Sequence, residues 1–256
     1  MGPTQLREPA SLIVADGFYE PRETEVLRRL AASMNTFIDV GANTGYYSVI
    51  LTRANTKLRT VAIEPVEDTR KKLEENLRLN DLHERVGVVP MAVANRSGTA
   101  TMFLPGTTGT VGSSLRDLHP LETSKSEEVP VTTLDELLGS TNEIGGSILV
   151  KIDVEGAEGL VLQGATELLS MGAFFVVELS RKWLAQFGST ANDIIHLFSQ
   201  HQYCCYAINS QGLGDSLLSK ITIIDDETLQ VNFLFLPLNQ VSFLERALER
   251  TDFNSP

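Results

Sequence analysis

Cysteine is nearly missing from this chain. Cys204 and Cys205 are sequence neighbours, too close to close a useful loop, and no Cys-x-x-Cys pair exists to hold zinc. Two reduced thiols on a strand are expected. Histidine is scarce as well: His83, His119, His196 and His201 fall in no His-Glu-x-x-His spacing, which excludes that metalloprotease pattern. Basic charge is in deficit. With 21 Lys and Arg against 33 Asp and Glu, the formal charge of −12 repels phosphate backbones and anionic membrane surfaces at long range. No basic stripe and no Pro-Pro-Tyr loop of the kind used on flipped bases is present, so no nucleic-acid partner is expected. No run of about 18 apolar residues occurs, and Met1 to Ala10 lacks the charged-then-apolar layout of a signal peptide. No membrane partner is expected, and the cytoplasm is the expected location.

What remains is an ordinary globular composition, 42% hydrophobic and 21% charged over 256 residues, enough to bury a large core. Period and punctuation give alternating strands and helices. Helices are expected at Glu23 to Met34, Thr44 to Arg53, Asp68 to Asn80, Ala157 to Ser170 and Ala191 to Gln200. Strands are expected at Thr36 to Val40, Leu58 to Ile63, Val86 to Val93, Ser147 to Ile152, Phe174 to Leu179, Tyr203 to Ile208 and Val231 to Leu236, with an extra strand at Thr99 to Leu104. Such alternation predicts an α/β fold with a mostly parallel sheet and helices on both faces, its ligands at the carboxyl ends of the strands. The last two strands lack a clear helix between them, so an antiparallel edge strand is expected. The stretch 105–129 is rich in Gly, Thr, Ser and Glu without period, and reads as a lid over an active site.

The sharpest local signal is Phe37-Ile38-Asp39-Val40-Gly41-Ala42-Asn43-Thr44-Gly45. A dinucleotide fingerprint needs glycine at its first, third and sixth positions, but here the third is Asn43 and the sixth is Tyr46. A sulfonium-bearing nucleoside has different needs. Gly41 and Gly45 let backbone approach its amino-acid portion, and Asp39 offers a carboxylate to its ammonium. Glu64 closes the second strand where an acid accepts hydrogen bonds from ribose hydroxyls, and Met91 and Ala92 are placed to line an adenine or, equally, to be strand core.

Asp153 ends the next central strand and is the first candidate for a general base or acceptor orienter; helix capping together with Glu155 is the competing reading. Glu178 ends the following strand and faces Asp153 across the crevice, a pair that raises one pKa or captures a divalent cation. Magnesium is not expected, and no residue is assigned as a metal ligand. Lys151, two residues before Asp153, shares its face and reads as a structural ion pair. His119 in the lid is a further candidate base, Ser113 and Ser114 are expected to touch cofactor or acceptor, and Trp183 with Phe187 is expected in the core.

FIDVGANTGYYS at 37–48, IEP at 63–65, Asn76 and Asn80, VTTLDELL at 131–138 and LVKIDVEGAEGLVLQGA at 149–165 occur in that order. From about Phe18 to Leu236 the chain resembles the FkbM-type methyltransferases, a branch of the S-adenosylmethionine-dependent O-methyltransferases. It departs from them at Val66, where a polar residue is expected. The resemblance implies a Rossmann-like class I methyltransferase fold of seven strands and transfer of a methyl group from S-adenosylmethionine, leaving S-adenosylhomocysteine. The acceptor it implies is a hydroxyl on a polyketide, sugar or other small natural product. Ala42, Asn43, Tyr47, Pro65 and Asp153 join Asp39, Gly41, Gly45, Glu64, Met91 and Ala92 as implied cofactor contacts. The expected organisation is a helical extension at 1–35, a methyltransferase domain at 36–240 and a carboxyl-terminal helix and tail at 241–256. An NAD(P)-dependent oxidoreductase and a non-catalytic nucleoside-binding module remain as alternatives, and nothing in the sequence sets the oligomeric state.

Overall fold

The computed structural model describes residues 19–104, 113–118, 125–140, 144–208, 217–222 and 230–249. Its main sheet is built from β1 (Thr36–Val40), β2 (Arg59–Ile63), β3 (Val86–Val89), β7 (Ile148–Ile152), β8 (Phe174–Ser180), β9 (Tyr203–Ile208), β10 (Leu218–Ile221) and β11 (Gln230–Pro237), in the order β10-β9-β11-β8-β7-β1-β2-β3. The central strands β1 and β7 are buried along their whole length, as parallel strands covered on both faces must be. β11 runs antiparallel to both β8 and β9, and β10 runs antiparallel to β9 at the edge.

Eight strands stand where seven were expected. The added one, β10, lies in the stretch before β11 that carried no strand assignment and is the antiparallel edge strand that was expected, while Val231 to Leu236 lies in an interior antiparallel strand. The expected strand at Val86 to Val93 is two: Pro90, lacking an N–H and fixed in φ, ends the ladder, and Ala92–Val93 (β4) joins a second sheet with β5 (Gly98–Leu104) and β6 (Lys125–Thr132). β6 begins inside the expected lid and pairs antiparallel with β5, so the last five residues of that stretch are strand.

Helix α1 (Pro21–Ala31) precedes β1, α2 (Tyr46–Ala54) follows it, α3 (Glu67–Leu79) follows β2, and α4 (Leu134–Ser140) follows β6. The helix expected at Ala157 to Ser170 is broken into α5 (Glu158–Gln163) and α6 (Thr166–Ser170). Gly164 lies at the break, where an added Cβ would come within 2.4 Å of the Ala94 carbonyl oxygen, so two backbones touch there. Asp135 of α4 takes the freed amides, accepting from Thr166 N at 2.9 Å and Glu167 N at 3.0 Å. Short α7 (Arg181–Gln186), α8 (Ala191–Gln200) with a Thr190–Asp193 capping box, and α9 (Val241–Glu249) complete the α-helices among the described residues. None of these helices is long and apolar enough to cross a membrane. Cys204 and Cys205 are free and buried on β9.

Alternation along the strands separates two cores. Ile38, Val40, Val150 and Ile152 face α5, α6 and α8. Phe37, Leu149, Val176 and Leu234 face α1, α2 and α9. On the second face the next residue toward the strand tips is polar: Asp39, Lys151 and Glu178 come two residues after Phe37, Leu149 and Val176, and Asn232, on antiparallel β11, comes two before Leu234. Register pairs Asp39 with Lys151 and Glu178 with Asn232, so one apolar layer gives way to a polar row at the strand tips.

Candidate active site

The tips of β1, β2, β7 and β8, the turn before β4, and Tyr19 before α1 surround a cleft of about 1150 Å³, counting the space that opens to solvent. The strands end level because their ladders run out together: Gly41 N donates to Ile63 O at 3.1 Å, Glu64 N to Val89 O at 3.1 Å, and Asp153 N to Val40 O at 3.0 Å.

The loop after β1 forms one wall. Gly41 (φ +80°), Asn43 (φ 50°) and Gly45 (φ +86°) turn the chain back tightly. Gly41 cannot be replaced without movement, because a Cβ there would lie 1.9 Å from the Asp153 carbonyl oxygen. Ala42, Asn43 and Tyr47 line the cleft; Gly45, at the start of α2, does not and faces Leu73 of α3. Its glycine serves the turn. Asn76 of α3 holds the loop from behind, its Nδ2 donating to Thr44 O at 2.8 Å.

Asp39 is buried, and Ser48 at the start of α2 donates to its Oδ2 from both Oγ (2.7 Å) and backbone N (3.1 Å). The carboxylate therefore anchors α2 through one oxygen as well as lining the cleft. Burial raises its pKa, opposed by the Lys151 ammonium and by Ser48.

Glu64 at the tip of β2 accepts from Asn43 N and from Val66 N, both at 2.9 Å, and burial pushes its carboxyl up to about 7. Pro65, Met91 and Ala92 line the same end of the cleft. Val66, the departure from the expected pattern, is buried and serves Glu64 through its amide, so its side chain need not be polar.

At the other end lies a charge cluster. Lys151 is buried, its Nζ 2.7 Å from Asp153 Oδ2 and 4.9 Å from the centre of the Tyr47 ring. Burial alone would lower its pKa, but Asp153, Glu20, Glu178 and Asp39 together raise it, so the ammonium persists. Asp153 hydrogen-bonds to Glu178. Burial works to raise the Asp153 pKa, yet Lys151 and these hydrogen bonds hold it below its usual value. Glu178 is pushed well above its own, first by the Asp153 charge and then by burial. Of the two carboxyl groups, Glu178 is therefore the one that holds a proton more readily. The competing role for Asp153, capping a helix, is not seen: α5 starts at Glu158 and has no side-chain cap.

Sequence reasoning missed Tyr19 and Glu20. Glu20 adopts φ 44°, and the Tyr47 hydroxyl donates to its Oε2 at 2.5 Å. Tyr19 lines the cleft with its ring edge-on to Tyr46, centroids 5.5 Å apart. The Tyr46-Tyr47 pair offered a signal, but its partners precede it by more than twenty residues. Lys151 was identified as an ion pair, not as the hub of four carboxylates.

Ser113 and Ser114 line the cleft, and Ser114 Oγ donates to Glu155 O at 3.0 Å, tying the described part of the lid stretch to the loop after β7. His119 lies outside the described residues. Trp183 and Phe187 are half-buried rather than core, each beneath a cation: Lys182 Nζ lies 3.9 Å from the Trp183 ring and Arg116 Cζ 5.4 Å from that of Phe187. Among the described residues no group of three or more His, Cys, Asp or Glu is placed to hold a metal ion.

Beneath the loop after β7, Glu158 is buried, its Oε1 accepting from Gly156 N at 3.0 Å and Val154 N at 3.3 Å while Oε2 has no partner. Burial pushes this carboxyl to about 7. Glu64 and Glu158 therefore bind protons more tightly folded than unfolded. Their contribution to stability is greatest at acidic pH and is lost as pH rises from about 4.5 through 7. The melting temperature should fall between pH 5.5 and 8, and Glu158→Gln should flatten that slope and melt higher than the parent at pH 8. Parallel slopes in the two proteins would show that Glu158 is not held this way.

A mostly parallel sheet with β11 between β8 and β9, and a cleft at its carboxyl tips closed by glycine turns and carboxylates, define a Rossmann-like methyltransferase. The methyltransferase FkbM domain model matches residues 39–205, well over half of the chain, and the chain belongs to that family of methyl-transfer enzymes. The hexuronic acid methyltransferase AglP of Haloferax volcanii is 32% identical over 61% of this chain and 62% of its own length. The methyltransferase sdnD of Sordaria araneosa is 28% identical over 52% of this chain and 61% of its own. The chain thus spans less than two thirds of the curated relatives it matches. A crystal structure of the O-methyltransferase from Bacillus cereus in complex with SAH aligns over 92% of this chain and 84% of that one, with 12% identity and a TM-score of 0.49. Family membership sets aside the oxidoreductase.

Proposed function

We propose that this chain transfers the methyl group of S-adenosylmethionine to a hydroxyl of a small molecule. The observation that carries the reading is the division of one cleft between two sets of groups: Gly41, Asp39 and Glu64 at the first two strand tips, and Lys151, Asp153 and Glu178 at the next two. The first set suits the donor. Asp39 is an anion for its ammonium, Glu64 an acceptor for ribose hydroxyls, and Met91 and Ala92 an apolar wall for its base. When bound, the donor supplies a methyl group on a sulfonium that departs as a neutral thioether.

The second set handles the acceptor. Asp153, ionised and steadied by Lys151, takes the proton of the acceptor hydroxyl as its oxygen forms the new bond to carbon. Glu178, which holds a proton more readily, orients that oxygen through a hydrogen bond. Neither group forms a covalent intermediate, so the protein contributes mainly position and charge. The reading needs no metal ion between the carboxyl groups, because Lys151 supplies the positive charge beside Asp153.

Isothermal titration with S-adenosylmethionine, S-adenosylhomocysteine and NADH tests the donor. We expect micromolar binding of S-adenosylhomocysteine and none of NADH; the reverse would end the reading. Asp39→Ala removes both the anion and the anchor of α2, and should weaken S-adenosylhomocysteine by about ten- to a hundredfold.

A further inference from the structure

We propose that Glu158 is a positioning residue for methyl transfer: from beneath the cleft it grips two amides of the loop after β7 and so holds the wall that follows Asp153 in register with the acceptor. The inference rests on the methyl-transfer reading above and adds a residue that does not itself line the cleft.

The loop joins β7 to α5, and Asp153, Val154, Glu155 and Ala157 within it all line the cleft. Its backbone is held in an uncommon shape. Glu155 (φ 52°) and Gly156 (φ +101°) are both left-handed, a conformation that is costly for a residue with a side chain and persists only where the surroundings impose it. The ladder with β1 ends at Asp153 N, so the amides of Val154 and Gly156 need another acceptor. One oxygen serves both: Glu158 Oε1 accepts from Gly156 N at 3.0 Å and from Val154 N at 3.3 Å. That grip brackets the left-handed turn at Glu155.

Two other contacts restrain the loop. Ser114 Oγ donates to Glu155 O at 3.0 Å, and a Cβ on Gly156 would lie 2.7 Å from Trp183 O, so the turn also presses on the backbone of α7. Neither contact reaches Val154, the first residue beyond Asp153. Glu158 does, although it is poorly placed for stability: it is 2% exposed, and its Oε2 meets no partner among the described residues. A buried carboxyl group with one idle oxygen is a cost to folding, and the loop that its other oxygen holds accounts for it. When the grip is lost, Asp153 N to Val40 O and the close approach of Gly41 remain, so the donor loop keeps its place. What loosens is the wall beyond Asp153. Misplacing a reacting group by about 1 Å costs about a hundredfold in rate.

Two substitutions in the full chain test the proposal. Glu158→Gln keeps Oε1 as an acceptor, whereas Glu158→Met keeps the length and removes it. Calorimetric titration with S-adenosylhomocysteine gives donor affinity and counts the folded molecules. Labelled S-adenosylmethionine follows transfer to whichever methyl hexoside, acyclic polyol or phenol the parent uses best. We expect Glu158→Met to lower kcat at least about tenfold with the dissociation constant of S-adenosylhomocysteine within about threefold of the parent, and Glu158→Gln to keep both within about threefold. Amide hydrogen exchange in the S-adenosylhomocysteine complex needs no acceptor: Val154 and Gly156 should exchange at least about tenfold faster in Glu158→Met and at the parent rate in Glu158→Gln. Parent turnover or parent exchange in Glu158→Met overturns the proposal, as does a fall in Glu158→Gln as deep as in Glu158→Met. Equal losses of turnover and donor affinity also overturn it, because they mark a structural role alone. A parent that binds no S-adenosylhomocysteine or methylates no member of the panel would strike the underlying reading, and the proposal with it.

Discussion

Asp153→Asn should lower kcat by about a hundredfold to a thousandfold while leaving the dissociation constant of S-adenosylhomocysteine within about threefold of the parent. Asparagine keeps the shape of the side chain and a partner for Glu178 but cannot take the acceptor proton. The loop should hold, because its turn is fixed by backbone contacts, Asp153 N to Val40 O at 3.0 Å and the close approach of Gly41, rather than by the carboxylate. The split between turnover and donor binding separates chemistry from mere construction: a structural role would move both. Unchanged turnover would remove Asp153 from the reaction and leave positioning alone as the source of rate.

Lys151→Met carries the largest expected effect on stability. The ammonium is buried and faces four carboxyl groups; methionine nearly matches its length but returns no charge. Removing one partner of a buried ion pair costs about 3–5 kcal/mol, which for a domain of this size lowers the melting temperature by roughly 10 °C. The pH dependence identifies the cause. Without the cation the carboxyl groups titrate higher, so the deficit should be largest near pH 8 and shrink toward pH 5, where they are protonated. A melting temperature within about 2 °C of the parent at pH 8, or a deficit that ignores pH, would mean that Lys151 does not hold the cluster together.

Much of the frame was legible because its signals are local. TFIDV and ILVKI are short apolar runs, each continued by a turn or an acid, and each became a buried parallel strand. The same locality explains the misses. Pro90 was inside an apolar run that the period alone carried through to Val93, although its missing N–H was sufficient to end the ladder. Gly164 sat within a helical pattern, and its reason, contact with the Ala94 carbonyl, is visible only in three dimensions. Gly45 followed the glycine logic of Gly41, but what the structure shows it serving is the turn and the space against Leu73, a contact no spacing rule reveals.

For the site, the carboxylates at strand tips were readable because register follows from length and apolar boundaries. Asp39, Lys151 and Glu178 each lie two residues beyond an apolar residue of the same face. Glu20 had no such guide. Its place depends on a left-handed backbone turn before α1 and on a tyrosine from α2, neither of which any spacing rule connects to the tip of β7.

The contact between Gly41 and the Asp153 carbonyl makes the proposed donor pocket and the proposed base share a single seam of main chain. Enlarging the pocket from that side would displace the group proposed to take the acceptor proton. Redesign for sulfonium donors with bulkier alkyl groups should therefore start at Tyr19, where a side chain rather than main chain bounds the space and trimming it leaves the seam closed.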